Sequence, residues 1–217
     1  MGNFFYSIAI AKVWLYFRLR YRMRIHNRHN LPKLKGMNSG YIIACNHQSY
    51  ADPPAIGAVI RGRFAFMAKE ELFTGNKLFA KLIRMCGAFP VRRGGGGEEA
   101  IAEAIRQLKK GRTFVIFPEG KRSKDGEIGR AKSGVALIAA MTKAPVLPVC
   151  IMYGLGGKRN LDFAIGEMIM PEEITIDDLS DRKRIKEIAE LIIGRVRELQ
   201  SKARARPAEV ALPPRRD

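Results

Sequence analysis

The sequence predicts an α/β domain: a single mostly parallel or mixed sheet flanked by helices, with an amphipathic helix at its N-terminus. Three observations carry this. Near-continuous apolar runs at 41–45, 113–117 and 145–153 read as strands buried on both faces. Segments of helical period separate them, at 76–85 and from Glu98 to Lys110. With 217 residues, 47% of them apolar, the chain can bury the core of one domain, with or without an appendage. No internal repeat is visible.

Residues 4–17 are mostly apolar and broken by Lys12. As a helix they span about 21 Å, short of the roughly 30 Å hydrocarbon core. No small-residue cleavage site follows, which argues against a secretory signal. An interfacial helix fits, with its aromatics and Trp14 at headgroup level. The alternative is a helix docked on the domain itself. Residues 17–25 then alternate strictly between apolar and arginine positions, predicting an edge strand with one arginine face. Each such base near an anionic leaflet adds roughly 1 kcal/mol.

Loops lead to the run at 41–45, whose strand is expected to end at His47 in a polar turn. Asp52-Pro53-Pro54 reads as a helix start, with the carboxylate at the N-cap and proline at the first helical position. A turn there lets His47 and Asp52 meet. Uninterrupted helix does not, since five residues at about 100° each leave them roughly 140° apart.

Further along, a strand is expected at 64–69, then a helix at 76–85 with Leu78, Phe79, Leu82 and Ile83 on one face. The segment 87–93 ends in Arg92 and Arg93, and glycines 94–97 read as a flexible hinge. The next helix stops at Gly111. A strand at 113–117, a helix at 133–141, a strand at 145–153 and a last strand at 163–170 follow. Ser180 is expected to cap a long helix carrying Ile185, Ile188, Ile192, Val196 and Leu199. From about Arg204 the Pro, Ala and Arg content predicts a disordered tail. The expected layout is an interface helix at 1–17, a folded domain at 18–203 and a basic tail at 204–217.

Thirty-nine Lys and Arg against 21 Asp and Glu give a formal charge of +18, which implies anionic partners. No acidic residue precedes Asp52, so the N-terminal quarter is purely cationic. Cys45, Cys86 and Cys150 are widely spaced in apolar contexts, suggesting neither disulfides nor a metal site. Cys45 and His47 lie two residues apart and share a face of an extended strand, leaving a Cys-His nucleophile to weigh against a buried strand cysteine. The glycine run lacks the Gly-Lys-Ser/Thr of a nucleotide loop, and Glu98 and Glu99 repel phosphate there.

Polar segments stand at three strand ends: the His47–Asp52 turn, Arg93, and Glu119 to Ser123. Open α/β sheets bind ligands at such ends. A carboxylate holding one imidazole nitrogen leaves the other free to take a proton from a hydroxyl. With several cations beside it, the inventory suits a substrate bearing both a hydroxyl and a phosphate. Singly, each residue also has a plain role as a cap, a turn residue or part of the basic surface.

Asn-His-Gln-Ser-Tyr-Ala-Asp at 46–52 resembles the His-x4-Asp signature of the glycerolipid acyltransferases, typified by the lysophosphatidate-acylating enzymes. Gly87-Ala88-Phe89-Pro90-Val91-Arg92-Arg93 is similar to the second family block, with Arg93 as its terminal arginine. Phe117-Pro118-Glu119-Gly120-Lys121-Arg122-Ser123 is similar to the third, although threonine is usual at position 121. Val146-Leu147-Pro148-Val149 is similar to the proline-centred fourth. The four blocks occur in family order across roughly 25–170.

The resemblance implies acyl transfer from acyl-CoA or acyl-carrier protein to a glycerol hydroxyl, with lysophosphatidate as acceptor and phosphatidate as product. It makes His47 the general base and Asp52 its orienting group, without an acyl-enzyme. It assigns Arg93, Glu119, Gly120 and Arg122 to the glycerol phosphate; Lys121, where the family has threonine, departs from the pattern and is a further substrate-binding candidate that adds charge beside the phosphate. It implies no cofactor beyond the thioester co-substrate, and no metal. An anionic membrane surface is the expected partner, at the cytoplasmic face of the cell membrane, with peripheral or monotopic attachment. Two other readings compete: another acceptor (glycerol 3-phosphate, a lysophospholipid or a lyso-aminolipid), or a non-catalytic basic membrane or nucleic-acid binder. Aromatics do interleave with bases at 17–24 as single-strand binding needs. That pattern leaves the His-Asp turn and the Pro-Glu-Gly loop unexplained, so no nucleic acid is expected. The sequence assigns no oligomeric state.

Overall fold

A computed structural model of the chain describes residues 11–12, 15–31, 40–60, 62–92 and 97–205. The described strands are β1 (Arg22–His26), β2 (Ile42–Cys45), β3 (Phe64–Lys69), β4 (Ala88–Val91), β5 (Thr113–Ile116), β6 (Val146–Tyr153) and β7 (Asn160–Ile165). They form one seven-stranded sheet in the order β1-β7-β6-β2-β5-β3-β4. Every pairing is parallel except β6 with β7. After a helical stretch at 15–20, the α-helices among the described residues are α1 (Asp52–Val59), α2 (Glu71–Thr74), α3 (Lys77–Met85), α4 (Glu98–Lys109), α5 (Gly134–Thr142) and α6 (Arg182–Ala205).

The apolar runs become central strands because both faces of the sheet are covered. In β2, Ile42 and Ala44 face α4, α5 and α6, packing with Leu108, Ile138 and Ile188. Ile43 and Cys45 face α1, packing with Ala55 and Ile56. Since β2, β5 and β6 are mutually aligned, their C-terminal ends lie on one edge of the sheet, and β2 sits between the other two.

Several elements differ from expectation. Residues 15–20 are helical, so the alternation from Phe17 yields only the five-residue β1. That strand is at the sheet edge, as predicted, but its arginines do not share one exposed face. Arg24 is buried and forms two hydrogen bonds of 2.7 Å to Asp162 on β7. Phe17, placed by sequence in the interface helix, is 2% exposed and stacks on Tyr21. The last strand runs Asn160–Ile165, and the expected stretch to Met170 contributes only the bridge of Ile169 to Val146.

Ser180 does not cap α6. Its hydroxyl donates to Asp178, while Asp181 Oδ1 accepts from the N–H groups of Lys183 and Arg184. Arg204 belongs to α6 and pairs with Glu127 at 2.9 Å instead of beginning a tail. The remaining tail, most of the expected interface helix, Arg93 and glycines 94–96 lie outside the described residues.

Candidate functional site

The site begins where β2 leaves the sheet, two residues before the predicted end at His47. Asn46 is buried and makes that exit possible. Its Nδ2 donates to the Ile151 carbonyl at 2.9 Å, and its Oδ1 accepts from Ile151 N–H at 2.7 Å. The side-chain amide thus stands in for one more residue of β2 against β6, satisfying both backbone groups while the main chain turns away.

His47 then packs face-on against Phe117, with ring centroids 4.0 Å apart. Its Nδ1 lies 2.7 Å from Asp52 Oδ2, as the turn predicted. Asp52 is 0% exposed, and its role differs from the expected N-cap. Ala51 is the capping residue, and Asp52 is the first residue of α1 and caps none of its N–H groups. The carboxylate folds back instead, and Oδ2 also accepts from Gln48 N–H at 2.7 Å and Ser49 N–H at 2.8 Å. Prolines at the next two positions lack N–H groups for a cap to satisfy.

The remaining oxygen, Oδ1, accepts the Tyr153 hydroxyl at 2.8 Å. Burial first, and the negative charge of Asp52 second, push the Tyr153 phenol far above its ordinary value. It stays protonated and remains a donor at working pH. Sequence reasoning missed this residue: it lies 101 positions from Asp52 and is simply the last letter of an apolar run.

Glu119 follows the adjacent strand β5 and is 5% exposed. Its Oε1 accepts from His47 N–H at 3.1 Å and its Oε2 from Gly129 N–H at 3.0 Å. Ser123 N–H donates to the His47 carbonyl at 2.7 Å, a second tie between the two loops. Gly120 has φ +65°, a left-handed conformation natural to glycine, and an added Cβ meets Lys132 Cε at 2.8 Å. Lys121 and Arg122 are exposed, and the Arg122 guanidinium lies 3.7 Å from the Tyr50 ring centre. The structure therefore brings His47, Asp52, Glu119, Gly120 and Arg122 into one loop cluster. Arg93 lies outside the described residues; the neighbouring Arg92 pairs with Glu70 at 3.1 Å.

The Cys-His alternative loses its footing. Cys45 is fully buried, and burial raises its thiol well above the ordinary range, with Asp52 adding to the effect. A nucleophile requires the thiolate.

Residues 22–152 match the family model described as Acyltransferase. A 1-acyl-sn-glycerol-3-phosphate acyltransferase of Bacillus subtilis is 32% identical over 188 residues, covering 85% of this chain and 91% of its own. Its counterpart in Streptococcus pneumoniae is 35% identical over 166 residues, 73% of this chain, and the alignment spans only 58% of that protein. A lyso-ornithine lipid O-acyltransferase of Pseudomonas aeruginosa is 33% identical over 114 residues, covering 52% of this chain and 43% of its own. The crystal structure of the 1-acyl-sn-glycerophosphate acyltransferase PlsC from Thermotoga maritima superposes with a TM-score of 0.67 at 28% identity, covering 92% of this chain and 82% of that one.

Proposed function

The chain belongs to the acyltransferase family, and from that premise we propose that it is a 1-acylglycerol-3-phosphate O-acyltransferase, moving an acyl chain from acyl-CoA or acyl-carrier protein to lysophosphatidate. The observation that carries the reading is the 2.7 Å contact of His47 Nδ1 with a buried Asp52, at the C-terminal edge of a central parallel strand.

In this reading Asp52 Oδ2 accepts a hydrogen bond from Nδ1–H, which keeps the proton on Nδ1 and leaves the Nε2 lone pair facing the acceptor hydroxyl. Nε2 takes the hydroxyl proton as the oxygen attacks the thioester carbonyl. The tetrahedral intermediate collapses to the ester, and the departing thiolate recovers the proton from the imidazolium. A thioester is already activated, so positioning and proton transfer suffice without an acyl-enzyme.

Arg93, Gly120, Lys121 and Arg122 are assigned to the acceptor phosphate, through charge-assisted hydrogen bonds and close backbone approach. A carboxylate repels a phosphate, and both oxygens of Glu119 are engaged by backbone N–H groups. Its role in this reading is to hold the His47 turn against the loop that carries the cations. The acceptor and product reside in a bilayer, whereas the thioester donor arrives from solution. We therefore assign the enzyme to the cytoplasmic face of the cell membrane, attached peripherally or monotopically. No helix among the described residues is long and apolar enough to cross a membrane.

Lys121, where the resemblance has threonine, and the similarity to a lyso-ornithine lipid acyltransferase keep a second acceptor in view. Purified protein, a thioester donor and a panel of lysophosphatidate, glycerol 3-phosphate, a lysophospholipid and a lyso-aminolipid separate the readings by lipid mass spectrometry. Phosphatidate is the expected product. Acylation of the lyso-aminolipid alone overturns the acceptor, and no acylation of any acceptor overturns the activity.

A further inference from the structure

Helix α3 connects the parallel strands β3 and β4, a position where α/β folds usually bury an apolar stripe against the sheet. Here Ala80 is its only buried residue. Leu78 is 78% exposed, Phe79 44%, Leu82 46% and Met85 37%. At about 100° per residue, Met85, Leu78 and Leu82 fall within about 60° of one another, and Phe79 follows about 60° further round. They form one ridge opposite Ala80. Lys81, Lys77 and Arg84 line one flank of it, and the helix contains no acidic residue.

The ridge is presented by a well-terminated helix. Asn76 Oδ1 caps it, accepting from Leu78 N–H at 2.9 Å and Phe79 N–H at 3.0 Å. The Arg84 guanidinium lies 4.5 Å from the ring centre of Phe73, in the preceding helix α2. The connection from β3 into α3 starts at the C-terminal edge of the sheet, the edge that carries the His47 and Glu119 loops.

An apolar ridge flanked by cations and free of acids is the chemistry of an interfacial helix. A second copy fits poorly, because α3 carries no acidic residue to meet the partner's Lys77, Lys81 and Arg84 across a two-fold contact. We propose that α3 is a membrane-contact element separate from the N-terminal segment. It seats Leu78, Phe79, Leu82 and Met85 at the headgroup–acyl boundary of an anionic bilayer, with Lys77, Lys81 and Arg84 against lipid phosphates. The inference does not depend on the acyl-transfer reading, since it concerns binding alone.

The test uses the full chain and vesicles of phosphatidylcholine with and without phosphatidylglycerol. The wild type is expected to prefer the anionic vesicles. Each leucine removed from the ridge is expected to weaken binding about tenfold or more, so L78S/L82S falls well below wild type. In W14F/L82W, lipids brominated on their upper acyl carbons are expected to quench the indole fluorescence. If L78S/L82S does not fold, the quenching experiment decides alone. Unchanged vesicle affinity in L78S/L82S, or an unquenched indole on vesicle-bound protein, overturns the proposal. So does a shift from dimer to monomer in L78S/L82S with vesicle affinity intact, which makes the ridge a contact between copies. Turnover on a water-soluble short-chain acceptor is expected to survive in L78S/L82S. Absence of that turnover in the wild type bears on the acyl-transfer reading and not on α3.

Discussion

Asp52 divides its two oxygens between different tasks, and that division tells which neighbours are worth changing. Oδ2 gathers the His47 ring and the turn, while Oδ1 is held by the Tyr153 hydroxyl. Tyr153→Phe removes one hydrogen bond to a charged, buried acceptor, worth about 1.5–3 kcal/mol. It leaves Asp52 free to tilt away from His47. A kcat about tenfold lower with little change in KM is expected, measured well below the unfolding temperature. A variant that melts earlier yet turns over at the wild-type rate assigns Tyr153 to folding alone. Cys45→Ser tests the discarded nucleophile. With its thiol raised by burial, native Cys45 is expected to resist iodoacetamide at mildly alkaline pH, and the variant is expected to keep turning over. The His-Asp pair was legible because strand, turn and helix start lie within seven letters. Tyr153 was not, because a tertiary hydrogen bond across 101 residues leaves no local pattern.

At the scale of elements, the apolar runs located the central strands because double-sided burial leaves few polar letters in them. Termini were less legible. Ser180 and Asp181 are both competent caps, and the choice of Asp181 follows from Ser180 turning back to Asp178. The alternation at 17–25 suits a strand, yet its first half is helical, with Phe17 docked in the core beside Tyr21. Asp162, which neutralises Arg24, could not be paired with it from sequence alone. Asn46 was visible only as a motif letter, although it replaces a residue of β2 against β6. Asn46→Leu leaves the Ile151 N–H and carbonyl unsatisfied in the interior. A loss of about 2–4 kcal/mol is expected from urea unfolding. A loss below the error of extrapolation contradicts the splice role.

For the whole molecule, a formal charge of +18 with a wholly cationic first quarter points to an anionic surface. Deleting residues 1–16 keeps the buried Phe17. The deletion is expected to weaken binding to anionic vesicles, with a thermal midpoint close to that of the full chain. A collapse in the midpoint instead identifies the segment as a docking helix. Sequence made the sheet, its carboxyl edge and the loops gathered there legible, since each rests on local runs. It left strand order unread, because parallel pairing is settled by contacts between distant segments.

The proposed role of His47 as the base for acyl transfer to lysophosphatidate is decided by following phosphatidate formation with purified wild type and His47→Ala, while vesicle binding is measured on the same samples. The expected result is phosphatidate from the wild type, a rate lowered by about a hundred- to ten-thousandfold in the variant, and equal vesicle binding by both. Wild-type turnover in His47→Ala contradicts it.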